Sequence, residues 1–65
     1  MRVLVNGNEM EITSATIADL LIEMGYEDMP VATAVNMTVV RKKDRAQTEL
    51  KGGDRIEILV PMQGG

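Results

Sequence analysis

The residues best suited to chemistry are the final four, Met62-Gln63-Gly64-Gly65, which follow the strand-like run Arg55-Ile56-Glu57-Ile58-Leu59-Val60 almost at once. The glycine pair begins four residues after Val60, and neither glycine has a Cβ to obstruct a narrow channel. Residues 62–65 therefore read as a flexible arm that carries the Gly65 carboxylate clear of a domain spanning residues 1–61. An unhindered glycyl carboxylate joined to adenylate as a mixed anhydride becomes an acyl donor that a sulfur or amine nucleophile can attack, dividing one difficult step into two. The competing reading of a diglycine is a frayed, glycine-rich end.

The chain itself brings no catalyst to such a reaction. It has no Cys and no His, which removes thiol nucleophiles, imidazole acid–base chemistry, thiolate or histidine metal sites and any disulfide framework. An activating enzyme would have to supply ATP, base and nucleophile. No bound cofactor or metal is expected, and a reducing, cytoplasmic location fits the missing disulfides. The 65 residues allow one small domain, and a hydrophobic content of 45% with 26% charged residues belongs to a globular chain.

Other candidate sites are weaker. The net charge of −3 gives no general attraction for phosphate backbones. The one basic run, Arg41-Lys42-Lys43-Asp44-Arg45, lacks the interleaved aromatics of a nucleic-acid surface and reads as a solvated loop, with a docking patch for an acidic partner second. Glu9, Glu11, Glu27 and Asp28 read as solvated charge, with no apolar pocket evident to shift a pKa. Gly7, Gly25, Gly52 and Gly53 have turn and cap spacing, unlike a phosphate-cradling loop. No apolar run is long enough to cross a membrane.

The elements that must position the arm follow from pattern. Residues 1–6 are apolar and β-branched, Asn6-Gly7 suits a tight primed turn, and Met10 and Ile12 alternate with acids, which predicts a hairpin. Thr16 three residues before Asp19 is a helix start, Ile17, Leu20, Leu21 and Met24 form one apolar stripe, and Gly25 ends the helix. Residues 31–35 and 38–40 are expected as strands, Asp44 to Gln47 as a short helical turn, residues 51–54 as a turn and residues 55–60 as the last strand. The resulting α+β pattern puts one helix on one face of a sheet, with Met1, Val3, Val5, Ile56, Ile58 and Val60 pointing inward. Leu4 and Leu59 are expected to meet on the open face, as isolated surface side chains or as the centre of a partner-binding face.

Val35-Asn36, the run Gly53-Asp54-Arg55-Ile56-Glu57-Ile58 and the terminal Gly64-Gly65, set on this element order, resemble the sulfur carriers of thiamine biosynthesis. These are minimal β-grasp, or ubiquitin-like, proteins, and the resemblance covers essentially the whole chain. It implies a mixed sheet of four to five strands with one main helix. It also implies a carrier without enzymatic activity of its own. An E1-like enzyme would adenylate Gly65, a donor protein would supply sulfur for a thiocarboxylate, and thiazole synthase would receive it. Met62, Gln63 and Gly64 would then occupy the partner's channel, and the free carrier is expected to be monomeric. Pro61-Met62-Gln63 departs from the mostly aliphatic approach to the diglycine in that family, and Pro61 removes a backbone donor beside the arm. Two other assignments share the scaffold: a small subunit of molybdopterin synthase, which is usually longer, and a ubiquitin-like modifier or interaction module.

Overall fold

A computed structural model describes residues 1–61. Arg2–Val5 forms β1 and Asn8–Glu11 forms β2, joined by the predicted turn: Asn6 and Gly7 both have positive φ, 51° and 84°, which the right-handed twist of a two-residue hairpin loop requires. Ile17–Glu23 forms α1, Ala32–Val35 β3, Thr38–Val40 β4 and Arg55–Leu59 β5. The Thr16 side chain accepts a hydrogen bond from the Asp19 backbone N–H at 3.2 Å, the expected N-cap. Beyond the Met24 C-cap, Gly25 at φ 82° turns the chain out of the helix.

The five strands make one mixed sheet in the order β2-β1-β5-β3-β4, so the last strand in sequence is the central strand in space. It runs parallel to β1 and antiparallel to β3. Val3, Val5, Ile56 and Ile58 point to one face and meet Ile17, Leu20 and Leu21 of α1, with Ile12, Val31 and Leu50 closing the core and Met24 partly buried beside it. Ile12, Ile17, Leu20, Ile56 and Val3 are the largest fully buried side chains, and each contributes on the order of 1.5–3 kcal/mol by leaving water.

Two residues expected to point inward are not buried. Met1 and Val60 are both 41% exposed. The alternation is intact, but a helix of 7 residues is only about 10 Å long and cannot roof the ends of the sheet. The helical turn expected at Asp44 to Gln47 is a longer 3-10 helix, Lys42–Gln47. It is anchored by Arg45, whose guanidinium donates to the Val31 carbonyl at 2.6 Å and to Thr33 Oγ1 at 3.3 Å. Buried Thr33 in turn donates to the Val40 carbonyl at 2.8 Å.

Candidate functional site

The site begins with the strand that leads to the arm. As the central strand, β5 is hydrogen-bonded on both flanks, and its register opposite β3 runs from Val35↔Ile56 to Ala32↔Leu59. Its start is held by the two short motifs that carried the resemblance, which meet in the fold. Asn36 Oδ1 accepts from the Arg55 backbone N–H at 3.0 Å and Asn36 Nδ2 donates to Asp54 Oδ1 at 3.0 Å. Asp54 Oδ2 accepts from the Lys51 N–H at 2.8 Å and closes the turn before β5. Asn36 has φ 50° and is followed by Met37 at φ 71°, so the β3–β4 turn has the primed geometry of Asn6-Gly7 with methionine where glycine is favoured.

The face of the sheet away from α1 has two chemical halves. On β2 and β1, Glu9 and Glu11 flank Arg2 at 3.5 and 3.7 Å, all three well exposed, an ion-pair group of the kind that adds little stability. On β5, β3 and β4 the same face shows Leu59 opposite Ala32 and, one row further in, Glu57, Ala34 and Val39 side by side, so it is largely apolar with one exposed acid. Leu59 is 67% and Val39 75% exposed. This apolar half lies at the end of β5 that continues into Val60 and Pro61.

Leu4 and Leu59 do not meet, contrary to the sequence reading. The parallel pairing sets Leu4 beside Arg55, so Leu59 lies four residues further along β5, about 13 Å away. Leu4 is instead half-buried in a hollow lined by Gly7, Met37, Arg55, Ile56 and Glu57. The cross-strand neighbour of Leu59 is Ala32, while Val39 lies across Ala34 level with Glu57; the sequence did not single out Ala32 and Val39, and strand order and register reveal them. Met62, Gln63, Gly64 and Gly65 lie outside the described residues.

The acids fall into two groups. Glu27 and Asp28 are exposed, as expected. Glu23 is not merely solvated. The Ser14 hydroxyl donates to its carboxylate, and the Ser14 and Thr13 N–H groups add longer bonds of 3.2 and 3.4 Å. The Ser14 hydroxyl chiefly holds Glu23 below the ordinary glutamate value; desolvation opposes it with a smaller effect, and the Thr13 and Ser14 backbone donors each add a lesser lowering. Glu23 thus fastens the end of α1 to the segment leaving β2. In the basic run, Arg41 pairs with Asp44 at 3.6 Å and Arg45 folds inward, leaving Lys42 and Lys43 exposed. Among the described residues no helix is long and apolar enough to cross a membrane.

A mixed sheet backed by one main helix is what the resemblance implied, and comparison with known proteins decides the family. The ThiS family matches residues 3–65. The chain belongs to the ThiS family. It is similar to a crystal structure of a thiamine biosynthesis protein (ThiS) from Geobacter metallireducens, with 28% identity, a TM-score of 0.82 and 100% of both chains covered. A solution structure of a thiamine biosynthesis protein from the same organism matches with the same identity and TM-score, over 100% of this chain and 88% of that one. A curated thiazole synthase from Paramagnetospirillum magneticum is 35% identical over 66 residues. The chain spans only 20% of that relative's length. The β-grasp architecture expected from sequence is therefore present, as a five-stranded mixed sheet with one α-helix.

Proposed function

We propose that the chain is a sulfur carrier of thiamine biosynthesis, charged at Gly65. The observation that carries this reading is the whole-length ThiS family match, which includes the diglycine and runs over a fold whose central strand leads toward it. In this reading residues 1–61 are a handle and residues 62–65 an arm. The Gly65 carboxylate attacks the α-phosphate of ATP on an E1-like enzyme, releasing pyrophosphate. Hydrosulfide released by a donor protein then attacks the acyl carbon, forming the C–S bond as the C–O bond to AMP breaks, and the resulting thiocarboxylate delivers sulfur to thiazole synthase. The chain contributes no catalytic group and binds no cofactor of its own. It acts as a monomer in the cytoplasm.

The largely apolar half of the open face, Leu59 with Ala32 and, beyond Ala34, Val39, with Glu57 beside them, is the proposed docking surface. A partner seated there holds the strand that leads to the arm and so sets the approach of Gly65. The curated relative named thiazole synthase favours thiazole formation over molybdopterin synthesis, because a matching segment occurs within that longer protein. Removing Gly64 and Gly65 tests the reading. The truncated chain should keep its unfolding temperature and lose all ATP–pyrophosphate exchange on the E1-like enzyme; exchange that survives truncation overturns it.

A further inference from the structure

The β1–β5 ladder ends sooner than β5 does. Its paired residues are Leu4↔Arg55 and Val5↔Ile56, and the Asn6 N–H still donates to the Ile56 carbonyl at 2.8 Å. The chain then turns away at Asn6-Gly7 while β5 continues to Leu59. In a parallel ladder the next two bonds would come from the carbonyl of residue 6 and the N–H of residue 8, both to residue 58. The Asn6 side chain supplies replacements for both. Its Oδ1 accepts from the Ile58 N–H at 2.8 Å, and its Nδ2 donates to the Ile58 carbonyl at 3.1 Å. One primary amide thus stands in for the missing peptide groups and satisfies a backbone pair that otherwise has no strand beside it.

We propose that Asn6 is a positioning residue for the carrier arm: by fastening β5 at Ile58 it fixes the direction in which the chain leaves the sheet toward Gly65. This inference rests on the carrier reading above. Ile58 lies seven residues before Gly65 and near the end of the strand, where β3 holds the other flank through Ala34↔Glu57 and Ala32↔Leu59, with Thr33 in register with Ile58 itself. Without the Asn6 amide, the last turn-ward part of β5 is held from one side. The fold supplies its own control in Asn36, which also has a positive φ and also grips a β5 backbone N–H with Oδ1, but at Arg55, the end remote from the arm.

The test compares Asn6→Gly with Asn36→Gly in the full chain, since glycine accepts the backbone conformation at both positions and removes only the amide. ATP–pyrophosphate exchange on the E1-like enzyme is measured against carrier concentration, with amide hydrogen exchange at Ile58 followed in the free protein. Asn6→Gly should leave KM within about twofold and lower kcat about tenfold or more, because misplacement of a reacting group acts on the chemical step. Ile58 should exchange faster. Asn36→Gly should leave kcat within about twofold. If Asn6→Gly does not fold, Asn6→Asp decides, since it keeps the acceptor for the Ile58 N–H but sets a carboxylate oxygen against the Ile58 carbonyl; the same loss of kcat is expected. Equal loss of kcat in the two glycine variants, or unchanged kcat in Asn6→Gly despite faster Ile58 exchange, overturns the proposal. Absence of exchange activity with the unmodified chain overturns the carrier reading itself.

Discussion

Met37 occupies the second position of a primed turn at φ 71° with its side chain 86% exposed, so it bears a backbone cost that little burial offsets. A non-glycine residue in the left-handed region costs roughly 1–2 kcal/mol. Glycine would remove that cost and add back about 0.5–1 kcal/mol through the greater freedom of the unfolded chain. The small buried fraction of the Met37 side chain returns only a few tenths of a kcal/mol, roughly, when it is lost. Met37→Gly should therefore stabilise the domain by about 0.5–1 kcal/mol. For a domain of this size that raises Tm by about 2–8 °C. Met37→Ala keeps the Cβ and the cost, and should stay within about 0.5 kcal/mol of the parent. Thermal unfolding followed by far-ultraviolet circular dichroism, with urea midpoints at unchanged slope, reads both. A lower Tm for Met37→Gly, or an equal rise for Met37→Ala, would refute the reasoning that the turn is strained at Met37.

The Glu23 carboxylate is held below its ordinary pKa, so its contribution to stability is fully present above about pH 4.3 and is lost as the pH falls through the lower folded value. Ser14→Ala removes the largest cause; the Glu23 pKa measured by NMR should rise and the acid-side loss of stability should flatten, and an unchanged Glu23 titration would contradict the assignment. Leu59→Arg should leave Tm nearly unchanged, since the side chain is 67% exposed, while weakening binding to the E1-like enzyme by tenfold or more, roughly one buried apolar side chain's worth. Unaltered affinity by calorimetry would remove Leu59 from the docking surface.

The parts of this fold legible in the sequence are those set by local chemistry. Asn6-Gly7 declares a hairpin, Thr16 and Asp19 a helix start, and Gly25 its end, and each does so within four residues. The apolar stripe of α1 and the alternation of β5 likewise need no knowledge of their neighbours. What failed depends on partners distant in sequence. The parallel register that separates Leu4 from Leu59 is fixed by a long crossover and not by a turn. Met1 and Val60 keep the inward phase but lie beyond the short helix that would cover them. The 3-10 helix, expected only from Asp44 to Gln47, reaches back to Lys42, and its anchoring by Arg45 on Val31 and Thr33 is a long-range contact that no periodicity within residues 41–50 announces. The break between the strands at Asn36-Met37 was legible, but its primed geometry was hidden because methionine is not a residue that the left-handed region favours. Asn6 was legible as a turn residue, but its second task on Ile58 appears only when β1 and β5 lie side by side.

The proposed transfer of sulfur to Gly65 is read out by intact mass. The full chain is incubated with the E1-like enzyme, ATP and a sulfide source, then weighed whole and fragmented. The expected result is a mass gain equal to exchanging one oxygen for sulfur, confined to the fragment that ends in Gly65. An unchanged mass beside an enzyme proven active on its own carrier, or sulfur found elsewhere in the chain, would contradict it.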